Sequence, residues 1–240
     1  MSVQVEQLTK IYGQQKAIDA ISFSADPGKI LGFLGPNGAG KSTTMKIVSC
    51  FIPPTSGKAS LCGFDVVENP IEVRRNLGYL PEHNPLYLDM YVKETLSFIA
   101  DIHGLDNKKS RIDKVIELTG LGVEQHKKVG ALSKGYRQRV GIAQAIIHDP
   151  RVLILDEPTS GLDPNQLIEI RNLIKELGKT KTVILSTHIM QEVEAVCDQV
   201  VIINKGQIVA DNTLQQLKEE HNNQSLEKIF LNLTRAQPVV

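Results

Sequence analysis

The chain has 240 residues, of which 41% are hydrophobic, and its 27 lysines and arginines balance its 27 aspartates and glutamates. This length allows one large domain, or a core domain with an inserted subdomain, and the composition suffices for a sizeable buried core. The formal charge is zero and no dense basic run carries interleaved aromatics, which disfavours a nucleic-acid partner, so none is expected.

The cysteines and the hydropathy of the chain indicate the cellular environment to expect. Cys50, Cys62 and Cys197 are scattered, odd in number and without metal-ligand spacing, which favours buried thiols in a reduced compartment. The N-terminus lacks the basic and then apolar layout of a signal peptide. The longest apolar runs are far shorter than the ~20 residues that span a bilayer. Any membrane-spanning part is therefore expected on another chain.

The first part of the chain is predicted to form two strands. Apolar and polar residues alternate over residues 2–8, and residues 16–25 follow as a second strand before an Asp-Pro-Gly turn. Tyr12 lies between the two strands. It is either a half-buried aromatic of the sheet or a platform that stacks on a purine ring.

Residues 35–42 fit the pattern of a phosphate-binding loop, glycine, four residues and then Gly-Lys-Ser. A short apolar segment at 29–34, predicted as a buried strand, precedes the loop, and residues 43–48 can continue as a helix. Glycines let backbone N–H groups close around phosphate oxygens, and the helix N-terminus adds partial positive charge. Lysine supplies a full charge for the β and γ phosphates, and serine supplies a hydroxyl for magnesium. The loop residues are Gly35, Pro36, Asn37, Gly38, Ala39, Gly40, Lys41 and Ser42.

Two other interpretations of this loop are weaker. A glycine-rich turn with a chance lysine would not be expected to match every fixed position between a strand and a helix. A dinucleotide-binding fold would carry a GxGxxG motif, which the loop lacks, and would not be expected to place a lysine there.

The segment after the first helix is predicted to contain a break and two short strands. The break is the Pro-Pro-Thr-Ser-Gly run at 53–57, and a strand follows at 58–63. A second strand at 77–82 ends in a proline and in Glu82. A single glutamate after a strand is usually a solvated residue, so Glu82 becomes a candidate only in the context of the other motifs.

The pattern becomes helical over residues 84–147, which therefore look like an inserted helical subdomain. Apolar residues follow helical spacing over 92–103 and again over 112–119, and a glycine ends each run. Ser133 suits the N-cap of a further helix over 135–147. Such a helix could also present its N-terminus to a phosphate.

Residues 151–158 carry the second strong motif. Four apolar residues in a row fit a strand that is buried on both faces of a parallel sheet, and Asp156 and Glu157 fall at its C-terminal end. Ligands bind at that edge of such a sheet, where the phosphate loop also lies. Two carboxylates in a dry crevice are costly unless a cation or a reaction needs them. The alternative is a strand that only happens to end in acids.

The last part of the chain is predicted as helix, strand, hairpin and helical tail. An amphipathic helix over 165–178 precedes a strand over 182–188 that ends in His188, a functional candidate because it adjoins the acidic pair. Residues 200–210 form a hairpin around Lys205-Gly206. The tail from residue 213 is helical, and it packs rather than lying on a membrane because it lacks a cationic face. Its cap is Ser225 and its apolar stripe is Leu226, Ile229, Phe230 and Leu233.

These motifs, in this order, closely resemble the ATP-binding subunit of an ABC transporter over nearly the whole chain. The helical insertion followed by Leu-Ser-x-Gly at 132–135 separates the sequence from GTPases and nucleotide kinases. The segments 78–87 and 226–230 are most similar to bacterial ABC-2 export ATPases, of the gliding-motility and multidrug-export types.

The resemblance implies an α/β fold, a P-loop NTPase (RecA-like) core with a small antiparallel β subdomain and an inserted α-helical subdomain. Residues 1–240 would form a single ABC ATPase domain. Its nucleotide-binding core would comprise 1–83 and 148–212, its helical signature subdomain 84–147, and its C-terminal helical extension 213–240.

The resemblance also assigns roles to individual residues, with ATP and Mg²⁺ as cofactors. Glu157 would polarise the attacking water as general base, and His188 would contact the γ-phosphate and orient that water. Lys41 would bind the β and γ phosphates. Magnesium would be held by Ser42, Glu82 and, through water, Asp156. The remaining nucleotide-binding residues would be Tyr12 on the adenine and the loop from Gly35 to Thr43 on the phosphates.

The signature motif implies that the ATP site is shared between two subunits. In the family, Ser133 and Gly135 bind the γ-phosphate of ATP held by the opposite subunit, and Asp163 would lie at that boundary. Two subunits, most simply a homodimer, would close head to tail on ATP and drive a separate transmembrane permease through the surface around 82–91. The protein would be peripheral, at the cytoplasmic face of the inner membrane.

The sequence departs from the family pattern at three positions. The usual signature is Leu-Ser-Gly-Gly-Gln, and Lys134 and Tyr136 replace its third and fifth residues, whereas the phosphate-contacting Ser133 and Gly135 remain. Glu82 stands where most members have glutamine, which adds a negative charge near the γ-phosphate.

Two further functions compete with a transport ATPase. One is a soluble nucleotide-gated switch that acts on ribosomes or DNA, although such relatives usually carry two domains in one chain or long coiled-coil insertions. The other is an ATP-binding regulator without turnover, which the intact Glu157 and His188 disfavour.

Overall fold

The computed structural model describes residues 1–235, in which two sheets are flanked by helices. The strands are β1 (Val3–Tyr12), β2 (Gln15–Ala25), β3 (Ile30–Leu34), β4 (Ser56–Leu61), β5 (Phe64–Asp65), β6 (Leu77–Leu80), β7 (Val152–Asp156), β8 (Thr182–Thr187), β9 (Gln199–Asn204) and β10 (Gln207–Thr213). The helices are α1 (Lys41–Val48), α2 (Pro70–Asn76), α3 (Val92–Ile102), α4 (Lys108–Leu118), α5 (Lys134–Ile146), α6 (Pro164–Gly178), α7 (Met190–Val196), α8 (Leu214–Glu220) and α9 (Leu226–Thr234).

The larger sheet has the order β10-β9-β3-β8-β7-β6, parallel except for the β9–β10 hairpin. Strands β3, β7 and β8 are buried along their whole length, which explains their continuous apolar runs. Leu34 pairs with Thr187, and Asp156 pairs with Ser186. The register therefore brings the C-terminal ends of these three strands to one edge, together with the segments that follow them.

The two faces of the larger sheet belong to different cores, and this decides where Asp156 points. Leu153 and Leu155 of β7 pack with apolar residues of α5 and α6. Val152 and Ile154 pack with the smaller sheet and with α1. Because side chains alternate along a strand, Asp156 shares the face of Ile154, the side on which α1 lies.

The smaller sheet is antiparallel, with the order β2-β1-β4-β5. Strand β1 extends past the predicted residue 8 as far as Tyr12. Gln7 adopts a φ of 49°, and the pairing of β1 shifts between Val5 and Leu8. This bulge returns Leu8 to the buried face that holds Val3 and Val5, and so accounts for the irregular spacing of the three apolar residues.

Helices α3, α4 and α5 all lie between β6 and β7 along the chain, as the helical pattern predicts. Their apolar residues pack in one cluster with side chains of the larger sheet, among them Leu96, Val115, Val140 and Leu153. Strand β6 ends at Leu80, before Pro81, so the prediction of a strand to residue 82 is wrong. Proline lacks the N–H that would continue the ladder. Glu82 therefore lies in the loop beyond the sheet.

The C-terminal part contains the predicted hairpin and two helices. Ser225 caps α9, because its Oγ accepts a hydrogen bond from the Lys228 N–H at 3.4 Å. The apolar stripe of α9 packs in a cluster with Val193 of α7, which confirms the interpretation of this stripe as a packing face. The predicted extension reaches residue 240, of which 236–240 lie outside the described residues.

Two short helices, α2 and α7, are absent from the sequence prediction. Each has seven residues, too few to display two full turns of apolar periodicity. Among residues 1–235, the helices are all too short or too polar to cross a lipid bilayer.

Candidate functional site

The phosphate loop connects β3 to α1 and depends on two glycines that admit no side chain. Gly40, the N-cap of α1, has a φ of 112°, and a Cβ there would lie 2.7 Å from the Ala17 carbonyl oxygen. A Cβ on Gly35 would lie 2.5 Å from the Ile203 carbonyl oxygen. The first hydrogen bond of α1 runs from the Thr44 N–H to the Gly40 oxygen at 3.0 Å. The N–H groups that precede it are therefore available to an anion at the helix N-terminus.

Lys41 is the first residue of α1 and is only 6% exposed. Its ammonium donates to the carbonyl oxygens of Gly35, at 2.8 Å, and Pro36, at 3.3 Å, and lies 3.9 Å from Glu157 Oε1. Burial lowers the pKa of Lys41, and the nearby carboxyl groups of Glu157, Asp156 and Glu82 oppose that shift. Since each of these partners is a hydrogen-bond acceptor, the Lys41 ammonium is held beneath the loop as a charged hydrogen-bond donor.

Glu157 directly follows β7, is buried, and adopts a φ of 50°. A side chain in this left-handed region costs about 1–3 kcal/mol, and such strain clusters at functional sites. His188 donates its Nδ1–H to Glu157 Oε1 at 2.9 Å. Burial raises the pKa of Glu157, while His188 and Lys41 act to lower it. Glu157 Oε2 has no hydrogen-bond partner among the described residues, so it is the oxygen available to a water molecule.

Asp156 and Ser42 fit a magnesium ion that arrives with a nucleotide. Asp156 is 2% exposed, and its Oδ1 has no hydrogen-bond partner within residues 1–235. In that same part of the chain, no three or more His, Cys, Asp or Glu side chains form a group that could hold a metal ion. Magnesium keeps several waters and usually takes one or two carboxylates plus substrate phosphates. An orphaned carboxylate oxygen near a phosphate loop matches that requirement, whereas a complete protein cage is not needed.

The loop, Glu157 and His188 surround one cavity of about 500 Å³, whereas the predicted magnesium ligand Asp156, buried at the end of β7, is not among the lining residues. This volume lies in the range of small-molecule sites. Tyr12, half exposed, and Glu82 also reach the cavity, from the β1–β2 hairpin and from the loop after β6. The lining residues are Tyr12, Gln15, Ala17, Asn37, Gly38, Gly40, Lys41, Ser42, Thr43, Glu82, Glu157 and His188. Most were predicted from sequence; Gln15 and Ala17 were missed, because neither belongs to a motif.

Three predicted site residues lie outside this lining, at the starts of two neighbouring helices. Ser133 caps α5 by accepting from the Tyr136 N–H at 3.4 Å, and Asp163 caps α6 by accepting from two N–H groups at 3.0 Å. A Cβ on Gly135 would lie 2.5 Å from Cδ of Gln166 in α6, so the two helix starts are in contact. One chain therefore does not bring its own signature residues into its own cavity. Of the remaining loop residues, Gly35, Pro36 and Ala39 shape the loop without lining the cavity.

The family model described as ABC transporter matches residues 18–160. The bacitracin transport ATP-binding protein BcrA of Bacillus licheniformis is 41% identical over 221 residues, which cover 91% of this chain and 72% of that protein. The ABC transporter ATP-binding protein NatA of Bacillus subtilis (strain 168) is 37% identical over 220 residues, 90% of this chain and 89% of NatA.

A solved structure of an ATP-binding subunit of an ABC transporter superposes with a TM-score of 0.89 at 30% sequence identity. The superposition covers 98% of this chain and 100% of the other. The similarity therefore extends over both sheets and over the helices between β6 and β7.

Proposed function

This chain belongs to the ABC transporter family as an ATP-binding, ATP-hydrolysing subunit, and from that premise we propose that two copies close head to tail around two ATP molecules and drive export through a separate permease. Subunits of this family dimerise and work with transmembrane partners. One observation carries the proposal: Lys41, Glu157 and His188 converge on one cavity, while Ser133 and Gly135 lie outside it.

ATP binding is assigned to the loop and the hairpin. The exposed ring of Tyr12 stacks on the adenine at the rim of the cavity. The loop from Gly35 to Thr43, which runs into the start of α1, receives the phosphates through its backbone N–H groups, except at Pro36, which has none, and at Ala39, which donates to the Pro36 oxygen. Lys41 exchanges its loop carbonyl partners for the β and γ phosphate oxygens, which are better acceptors because they are charged.

Hydrolysis is assigned to the Glu157–His188 pair. Glu157 Oε2 accepts a proton from the attacking water, and the His188 bond to Oε1 fixes the orientation of the carboxyl group. Phosphoryl transfer depends chiefly on positioning and on charge neutralisation. Lys41 supplies one positive charge, and Mg²⁺, held by Ser42 and by Asp156 through water, would supply further neutralisation of the phosphate charge. Glu82, which reaches the same cavity, is assigned as a ligand that senses this ion.

The positions of Ser133, Gly135 and Asp163 support a shared site. Ser133 and Gly135 lie at the start of α5, where N–H groups and the dipole favour an anion, whereas Asp163 caps the neighbouring α6 with its own carboxylate. If the γ-phosphate of the opposite subunit lies there, ATP binds the closed dimer more tightly than the open one, and hydrolysis releases it.

Ser133→Ala is expected to reduce the ATP-dependent dimer at least about tenfold, since a charge-assisted hydrogen bond contributes about 1.5–3 kcal/mol. The measurement is size-exclusion chromatography with a non-hydrolysable ATP analogue. Ser225→Ala is the matched control, because both serines cap a helix through hydrogen bonds of 3.4 Å. Equal dimer fractions in the two variants would contradict a shared site.

The surface around residues 82–91 is proposed as the permease contact. Tyr87, Leu88 and Tyr91 are each about half exposed, and the Tyr87 ring contacts Phe98 of α3 edge-on, with centroids 6.0 Å apart. Phe98 is itself 41% exposed. Contiguous exposed aromatic and aliphatic side chains are typical of a protein contact. Such a contact would place the chain at the cytoplasmic face of the inner membrane as a peripheral subunit.

Glu82→Ala is expected to uncouple ATP hydrolysis from transport, because Glu82 adjoins both the cavity and this surface. Transport and ATPase activity are measured with the co-purified permease. Glu68→Ala, at another exposed glutamate, is the control. Values for Glu82→Ala that equal those of the control in both assays would remove Glu82 from this role.

A switch that acts on ribosomes or DNA is not favoured, since the similar curated proteins are named as transporter subunits. Co-sedimentation with membranes that hold a polytopic partner tests the proposal directly. Recovery of the chain with ribosomes or DNA, and not with membranes, would support the switch instead.

A further inference from the structure

We propose that Glu192, a buried acid without a part in the chemistry above, is a positioning residue that holds the Glu157 and His188 segments in register. The inference rests on the roles proposed for Glu157 and His188. It adds a residue that contacts neither ATP nor the attacking water.

The Glu192 carboxyl group bridges the two segments. The residue is 1% exposed, and its two oxygens accept hydrogen bonds from different parts of the chain. Thr159, in the turn that begins at Glu157, donates its hydroxyl to Oε1. Thr187, directly before His188, donates its hydroxyl to Oε2 at 3.0 Å. Both threonines are buried, so no water competes freely for these bonds.

Backbone contacts make this bridge directional. The turn after β7 is closed by a hydrogen bond from the Ser160 N–H to the backbone carbonyl oxygen of Glu157, at 3.2 Å. The Thr187 hydroxyl also accepts from the Ile189 N–H at 3.1 Å. The Thr187 hydroxyl therefore accepts one hydrogen bond and donates the other, which fixes its orientation. The position of Glu192 Oε2, which accepts from this hydroxyl, is fixed as a result.

A glutamate at this position needs an explanation beyond packing. Burying a polar group is costly unless it is hydrogen-bonded, and an apolar side chain would fill the same space without that cost. The first turn of α7 tolerates the acid, since the helix dipole favours negative charge there. What glutamate adds is two acceptors aimed at two loops. By holding both loops, Glu192 sets the 2.9 Å distance between His188 Nδ1 and Glu157 Oε1.

Helix α7 is held in place on its other side, so it can serve as the reference for both loops. Val193 packs in one apolar cluster with Leu226, Ile229 and Phe230 of α9. The partly exposed ion pair of Glu194 with Lys218 of α8, at 2.9 Å, contributes little to this anchoring. Loss of a hydrogen bond at Glu192 is therefore expected to displace the Glu157 and His188 segments rather than helix α7.

The test is steady-state ATP hydrolysis by the full chain, with kcat, the KM for ATP and the melting temperature measured for each variant. Glu192→Gln and Thr159→Val are expected to lower kcat about 10- to 100-fold, with KM changed less than about twofold, since misplacement near 1 Å has such effects. Thr159→Ser keeps the hydroxyl and is expected to restore turnover. Glu194→Gln, the same change on the same helix, is the control and is expected to match the unmodified chain.

A second measurement combines Glu192→Gln with Thr159→Val. Because both changes break the same link, the kcat loss of the double variant is expected to equal the larger single loss rather than the product of the two. A residue that acts only through overall stability would give multiplied losses, or a lowered melting temperature without a change in kcat below it.

Three outcomes would overturn the inference: normal kcat in both single variants, losses that multiply, or an equal loss in Glu194→Gln. If Glu192→Gln does not fold, the comparison of Thr159→Val with Thr159→Ser decides alone. The proposed function is tested separately by changes at Glu157. An inactive Glu157→Gln beside normal turnover in both Glu192→Gln and Thr159→Val rejects the positioning role and leaves the function intact.

Discussion

Glu157→Gln is expected to bind ATP and to hydrolyse it at least about 100-fold more slowly, the range that a general base contributes. Glutamine keeps the size of the side chain and an acceptor for the His188 Nδ1–H, but it cannot take a proton from water. The change also removes a negative charge that lies 3.9 Å from Lys41, near the expected γ-phosphate. ATP binding is therefore retained, and closed dimers accumulate because the step that opens them is slow.

Turnover is measured by phosphate release, and dimers by size-exclusion chromatography with ATP and Mg²⁺. Glu176→Gln is a matched control, since Glu176 is half exposed and forms an ion pair with Lys179, three residues along the chain, at the protein surface. Turnover in Glu157→Gln at the rate of the control would remove Glu157 from the role of base.

Lys41→Met is expected to weaken ATP binding about 100-fold or more and to abolish hydrolysis. Methionine fills much of the space of the lysine stem, but it leaves the β and γ phosphates without their buried cation. Truncating one partner of a buried charge pair costs about 2–5 kcal/mol, and each 1.4 kcal/mol is about tenfold in affinity. Because a ligand that binds only the folded state stabilises it, the rise in melting temperature on adding ATP is expected to disappear as well.

Affinity is measured by isothermal titration calorimetry and the melting temperature by differential scanning fluorimetry. Lys46→Met is the control on the same helix, because Lys46 is exposed whereas Lys41 is buried. Nucleotide affinity in Lys41→Met within twofold of Lys46→Met would contradict the placement of the phosphates at this loop.

Sequence patterns predicted the main elements of the fold because their signals are local. The buried strands β3, β7 and β8 appear as unbroken apolar runs, and the hairpin around Lys205-Gly206 follows from its turn residues. Short elements were harder. Helices α2 and α7 span only seven residues each, and strand β6 ends sooner than its apolar run suggested. Their limits depend on neighbours that are distant in the chain.

The sequence predicted those site residues that belong to a motif, in which the reactive or binding groups occupy neighbouring positions of the chain. Gln15, Ala17, Thr159 and Glu192 belong to no such motif, and their positions near the site become visible only from contacts across the sheet. The bulge at Gln7 is a further case. It keeps Leu8 in the core, although the alternating pattern alone would have placed residue 7 there.

The sequence by itself determined that this protein binds a nucleotide phosphate and carries acids suited to its hydrolysis. Those capacities belong to short runs of residues, and backbone N–H groups, a lysine and two carboxylates act over a few ångströms. Only the tertiary structure decided which of these groups meet. The register of β3, β7 and β8 brings Lys41, Glu157 and His188 to one edge of the sheet. The packing of α5 on α6 holds Ser133 and Gly135 outside that lining, because contacts between distant segments depend on burial and pairing that no local pattern encodes.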